Sequence, residues 1–412
     1  MSLAEAPLLV MLAGLAAYAV LGGADFGAGF WQLAGGRHER ARQIREHAHH
    51  AMGPVWEANH VWLIFVLVVC WTAYPTAFGS ITSTLAVPLF IAGLGIILRG
   101  TAYALRSGTA TAREQRRVEV ALAVSSILTP FALGTIIGGI ASGRVPVGNA
   151  QGDLVDSWLN PTSILIGVIA VATAAYLAAV YLAADAARIG HSELAKAFRA
   201  RALATGVVAG AVALGGLAVV RDDARPIWDG LTGGAGLGAV IVSAAAGVVT
   251  LGLVWRNRFE PARATAALAV TAIIAGWALA QRPRFLPGLT IDDAAAGRST
   301  LIALLVSVAI GAVVLVPSLA FLFGLVLRGR FDPGKEEASA AERPPASVGA
   351  SMQSRLGSIA AVCLAVGSGL MVFVDTSWAR LVGVFALLVF VFAGFVALAA
   401  ASVGAPGENE SR

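Results

Sequence analysis

The chain has 412 residues, 58% of them hydrophobic and only 13% charged, with 47 glycines besides. A soluble domain averages about 45–50% apolar and about 25% charged residues, and with a mean hydropathy of +0.79 the composition excludes a soluble enzyme or a disordered chain and defines an integral membrane protein. The pI near 9.7 is not read as nucleic-acid binding, because the 29 basic residues are few and flank apolar runs, which makes them a topology signal.

Residues 7–30 form the first of eleven apolar runs long enough to span a bilayer, at roughly 20 residues each. The others lie near 54–76, 82–104, 118–142, 162–184, 203–220, 235–255, 265–281, 299–327, 356–375 and 378–402. No basic residue precedes Arg37, so the first run is expected to be a retained span and not a cleaved leader. Continuous apolarity without period-2 alternation predicts helices and excludes a barrel. The expected fold class is therefore an all-α polytopic membrane protein.

Alternating spans place 21 basic residues on one side and 7 on the other, with Arg99 inside a span. That asymmetry predicts an external N-terminus and a cytoplasmic C-terminus. Residues 329–354 are polar and contain proline, and are expected to be a flexible cytoplasmic linker. The linker divides the chain into a nine-span region, 1–328, and a two-span hairpin, 355–402, followed by a polar tail, 403–412. Cys70 and Cys363 both sit in apolar runs, so neither a disulfide framework nor a zinc site is expected.

Chemistry in such a chain must rest on ionisable residues inside the spans. Asp25 lies near the cytoplasmic end of span one, Glu57 and His60 in the first turns of span two, and Arg99 near the cytoplasmic end of span three. All four fall within roughly 5–10 Å of one boundary at 1.5 Å per residue. Each has an ordinary alternative. Arg99 either snorkels to the interface or pairs with Asp25. Glu57, following Gly53-Pro54, either complements a helix N-terminus or carries protons. Asp25 gains nothing from a helix C-terminus, so it pairs or relays. His60, three residues after Glu57, either meets it or hydrogen-bonds within the core.

Gly23 and Gly27 make a small-residue packing face. Trp31, Trp56, Trp62 and Trp71 are read as interfacial belts. The run Glu46-His47-Ala48-His49-His50 is read as a polar juxtamembrane turn and not a metal site. Haem is not expected in this chain, since His60 is the one histidine well inside a span and six-coordinate haem needs a second axial ligand.

Three motifs are the segment Gly22–Trp31 (GGADFGAGFW), the segment Gly53–Ile64 (GPVWEANHVWLI) and Ala73–Phe78 (AYPTAF). Together they resemble subunit II of cytochrome bd-type quinol oxidases, at Gly22, Gly23, Asp25, Gly27, Trp56, Glu57, Asn59 and Trp62, with Arg99 in span three. Ala58 and His60 depart from the family pattern, and the last two spans exceed its nine-helix core of two four-helix bundles plus one. The resemblance implies a haem-carrying subunit I as partner, with two b-type haems and one d-type haem, and quinol as substrate of the complex. Small accessory subunits and the lipid bilayer complete the partners it implies, without nucleic acid. It implies oxygen reduction to water in a bacterial cytoplasmic membrane. No catalytic or metal-binding residue is expected in this chain. Asp25, Glu57 and His60 are its expected proton pathway and Arg99 an ion-pair partner. A secondary transporter and a purely structural assembly subunit are the alternative readings.

Overall fold

The computed structural model describes residues 2–34, 43–48, 56–106, 111–327, 349–374 and 376–404. The chain divides into two compact units, Met1–Val313 and Val314–Arg412.

The first unit opens with one continuous helical rod. α1 (Ala6–Ala17) starts on Pro7, passes through a π turn (Tyr18–Gly22) and continues as α2 (Gly23–Ala34). α3 is a short helix at 43–48. α4 (Trp56–Ala73) and α5 (Pro75–Thr84) meet at Tyr74, where Pro75 starts a new helix. α6 spans Ala86–Arg106. α7 (Ala112–Ala141) is started by a capping box, Thr111 accepting from the Glu114 backbone N–H while Glu114 accepts from that of Thr111. α8 (Pro161–Arg188) is capped by Asn160, and α9 (Ser192–Asp223) follows after a tight turn. α10 (Arg225–Thr232) leads into α11 (Gly234–Trp255) and α12 (Phe259–Gln281). A two-stranded antiparallel hairpin, β1 (Arg284–Leu286) and β2 (Leu289–Thr290), precedes α13 (Ile291–Ala294) and α14 (Arg298–Leu327). α14 starts in the first unit and ends in the second.

Eight helices among the described residues are long and apolar enough to cross a membrane, and three shorter apolar stretches lie at 59–73, 356–370 and 381–393. Those of the first unit other than α14 form two groups. The α1–α2 rod packs with α4 and α7, and α7 with α6; α8, α9, α11 and α12 form the second group, and α2 lies against α8 between the two. The larger core, around Leu177, Leu182, Phe198, Ala262 and Ala266, belongs to the second group and is rich in alanine. Small side chains let these helices approach closely, which is how packing substitutes for the hydrophobic effect inside lipid.

At one end, Tyr74 donates to the Ala4 carbonyl at 2.6 Å, Ala296 N–H to the Ala73 carbonyl at 2.7 Å, and Arg282 pairs with Glu5. In the α7–α8 loop there, backbone N–H groups of Asp156 and Val155 hold the Asp153 carboxyl below its usual pKa. Arg144 forks onto Asp223, which also accepts from the Thr162 N–H and hydroxyl. The opposite end carries the arginine-rich turns. Apart from its start at Leu301, α14 is largely exposed.

In the second unit, α15 (Gly349–Phe373) and α16 (Ser377–Gly404) pack side by side, Gly367 facing Leu387 and the Gly383 carbonyl. Helix begins at Gly349, within the segment 329–354 expected as linker. The rest of that segment, 329–348, lies outside the described residues.

Candidate functional site

Asp25 sits on α2, Arg99 two turns before the end of α6, and both are 0% exposed. Arg99 Nη2 meets Asp25 Oδ1 at 2.6 Å and Nε meets Oδ2 at 3.1 Å, a two-point fork. Nη2 also donates to the Asp25 main-chain carbonyl at 2.8 Å, and Nη1 to Ser126 Oγ of α7 at 2.7 Å. Ser126 in turn donates to the Leu122 carbonyl. The guanidinium lies 4.9 Å from the Phe26 ring centroid and 5.3 Å from that of Tyr103, whose hydroxyl is 3.4 Å from Nη2. Three helices thus converge on one fully buried cation and its counter-ion. The alternative that Arg99 snorkels to the interface is corrected: a guanidinium so fully engaged has nothing to gain from the interface.

Glycines make room for this centre. A Cβ at Gly29 would lie 2.0 Å from Ser126 Oγ and 3.1 Å from Arg99 Nη1. A Cβ at Gly27 would lie 1.9 Å from the Ala174 carbonyl, so α2 and α8 touch backbone to backbone there. Gly23 faces the same helix at Leu177, and Gly22 faces the Tyr18 ring. The small-residue face expected from Gly23 and Gly27 is therefore the α2–α8 contact.

The π turn just before Asp25 was not foreseen. Asn59 Nδ2 donates to the Leu21 carbonyl within that turn at 3.3 Å, tying α4 to it. Such turns recur at functional sites. His60, one residue on, has Nδ1 3.4 Å from the Tyr18 hydroxyl, and its ring lies against Tyr18 and Phe26. His60 therefore joins the same aromatic cluster that covers Arg99. Trp62 packs against that cluster too. Trp56 and Glu57 open α4, and their side chains lie outside the described residues.

Two expectations need correction. Trp31 is 8% exposed and donates from Nε1 to the Ala175 carbonyl at 2.9 Å, so it is a core residue and not part of a belt. Trp71, 65% exposed, does suit one. The His47 segment is more than a polar turn: α3 buries Ile44, His47 and Ala48 under α8 and α9, with His47 Nε2 3.1 Å from the Leu182 carbonyl. His49 and His50 lie outside the described residues. No cluster of metal-ligand type was found among the described residues.

Tyr18, Phe26, Gly29, Tyr103 and Ser126 were missed from sequence. Gly29 lay inside a motif already noted, and Tyr103 is one turn from Arg99. Ser125-Ser126 is a polar pair inside an apolar run.

The helical fold and the buried pair define a multi-span membrane protein organised around a buried ion pair. Residues 3–326 match the family of cytochrome bd terminal oxidase subunit II, and the chain belongs to that family. It is 28% identical over 151 residues to "Cytochrome bd ubiquinol oxidase subunit 2" of Bacillus subtilis, covering 36% of this chain and 43% of that protein. It is 26% identical over 169 residues to "Cytochrome bd-I ubiquinol oxidase subunit 2" of Escherichia coli K12, covering 38% and 42%. The matches thus span less than half the length of these two relatives. In fold it resembles a chain of the bd oxidase from Geobacillus thermodenitrificans, with a TM-score of 0.62, 24% identity, and coverage of 79% of this chain and 99% of that one.

Proposed function

We propose that this chain is the haem-free subunit II of a bd-type quinol:oxygen oxidoreductase in a bacterial cytoplasmic membrane, its arginine-rich end in the cytoplasm. The partner is a subunit I that carries two b-type haems and one d-type haem and oxidises quinol. The observation that carries this reading is the buried Asp25–Arg99 pair, built on the motif residues of the family to which the chain belongs. Residues 1–328 would supply the oxidase core and 355–402 an appended hairpin.

The described residues of this chain do not fit a haem. The His60 ring is enclosed by Tyr18 and Phe26 with Nδ1 on the tyrosine hydroxyl. Met11 packs in the core at the opposite end of the bundle, away from it. No step is therefore assigned to a cofactor here. What the chain supplies is position and charge. Asp25, Arg99, Ser126 and Phe26 fix α2, α6 and α7 against one another, and Glu57 stands at the mouth of α4, where protons enter from the cytoplasm. Oxygen reduction consumes protons that must cross low-dielectric protein, and a carboxylate at a helix mouth accepts them.

Co-expression with a haem-carrying subunit I, followed by quinol-dependent oxygen uptake, tests this reading. The expected result is haem-containing complex and oxygen uptake only when both chains are present. Solute uptake by this chain alone in vesicles, with no haem partner recovered, would favour a transporter instead.

A further inference from the structure

The α11–α12 turn carries an arrangement that the ion-pair site does not use. α11 ends at Trp255, and the turn closes through Asn257 at φ +57°, with Asn257 N–H on the Val254 carbonyl and Arg258 N–H on the Leu253 carbonyl. Asparagine tolerates this left-handed position at a helix end. The closure holds Arg256 and Arg258 on either side of one residue. Arg199 of α9 meets the same helix end, donating to the Val254 carbonyl at 3.1 Å and to the Trp255 carbonyl at 2.6 Å. Its guanidinium lies 5.3 Å from the Trp255 ring centroid, and that ring is 67% exposed. Arg199 is thus fixed by carbonyls with donors to spare, while Arg256 and Arg258 are exposed with no carboxylate partner among the described residues. Glu260, the acid in the following turn, is engaged by Arg263.

Below this cationic rim the surface is apolar. Val248 and Val249 on α11 and Val207 and Val208 on α9, roughly two turns further into the membrane, are exposed. Three guanidiniums and an interfacial indole over an apolar wall match an anionic phospholipid: phosphate oxygens at the rim, acyl chain along the wall. A free phosphate would use the rim and leave the wall idle. We propose that Arg199, Arg256, Arg258 and Trp255 form a binding site for the headgroup of one anionic phospholipid.

The test uses the full chain in its native complex. Native mass spectrometry would count phosphatidylglycerol retained after exchange into vesicles of phosphatidylglycerol or of phosphatidylcholine. Arg256→Gln with Arg258→Gln is compared with Arg113→Gln with Arg116→Gln, which removes equal charge from the same end at α7. The proposal expects one retained phosphatidylglycerol in the wild type and in the α7 variant, and affinity weakened about thirty-fold in the 256/258 variant. It expects phosphatidylcholine not to be retained and inorganic phosphate not to displace the lipid. Equal loss in both variants would reduce the effect to general charge attraction and overturn the site. So would displacement by inorganic phosphate, or retention unchanged in the 256/258 variant. If the 256/258 variant does not assemble, Trp255→Ala is read in the same way, and unchanged retention there overturns the proposal.

Discussion

Arg99 closes on Asp25 across 74 residues of sequence, gripping both carboxylate oxygens and the main-chain carbonyl of the same residue. Neither side chain has any exposed surface, so no water can replace a lost partner. Removing one half of a buried pair typically costs about 3–5 kcal/mol, because it strands the other charge. Asp25→Asn and Arg99→Gln are each expected to reduce the assembled complex sharply, measured as complex yield in membrane extracts. The double variant Asp25→Leu, Arg99→Met strands nothing and should recover assembly above either single one. Arg99→Lys should not rescue, since a point charge cannot reproduce the fork. A double variant as poor as the worse single one would show that geometry, not charge balance, is what matters.

Gly29 is expected to tolerate no larger residue. Its Cβ would meet Ser126 Oγ at 2.0 Å and Ser126 Cβ at 2.9 Å, and overpacking of this sort costs about 1–3 kcal/mol. Gly29→Ala should lower the thermal midpoint of the complex. Gly93→Ala on α6, where nothing lies within 4 Å of an added Cβ, is the matched control and should be silent. Equal shifts for both would mean that helical glycine, not the crowding at Arg99, sets the response.

Ser126→Ala removes the acceptor for Arg99 Nη1 while keeping the ion pair. A buried donor left without an acceptor costs about 1–3 kcal/mol, and more when it is charged. Assembly is expected to fall less than for Asp25→Asn. Thermal denaturation of the purified complex measures this, and a larger effect than that of Asp25→Asn would reverse the ranking of the two partners.

That Asp25 and Arg99 share one height was legible in the sequence, because counting residues from span ends fixes height along a helix. Its composition was only partly so. Asp25 and Arg99 stood out as charges in lipid, but which faces meet depends on helix rotation. The π turn at Tyr18–Gly22 inserts a residue that changes that rotation just before Asp25. Ser126 and Gly29 were hidden for the same reason: a serine and a glycine in apolar helices are ordinary until a guanidinium is placed beside them. Trp31 misled because tryptophans near span ends usually sit in the interface. Here the Ala175 carbonyl on α8 satisfies its N–H inside the protein.

The basic asymmetry of 21 to 7 predicts the side of each loop. Reporter fusions at residues 110 and 150 should read cytoplasmic and external respectively. The same side for both would break the span count between them, and exchanged sides would invert the orientation proposed here.

Glu57 is expected to carry protons, whereas Asp25 holds the helices. α4 starts at Trp56, so Glu57 lies in its first turn, at the mouth of the helix. Asp25 is bound on both oxygens by Arg99, and that fork ties α2 to α6. The two substitutions therefore separate. Glu57→Gln keeps size and polarity but cannot exchange a proton, so haem content and complex yield should stay near wild type while oxygen uptake falls about a hundred-fold. Glu57→Asp, which retains an acid on a shorter stem, should restore part of the rate. Asp25→Asn should instead lose yield first, with turnover per haem in the surviving complex less affected. Oxygen uptake normalised to haem, measured beside complex yield for all three variants, distinguishes these outcomes. Full turnover in Glu57→Gln at normal haem content would remove Glu57 from the route.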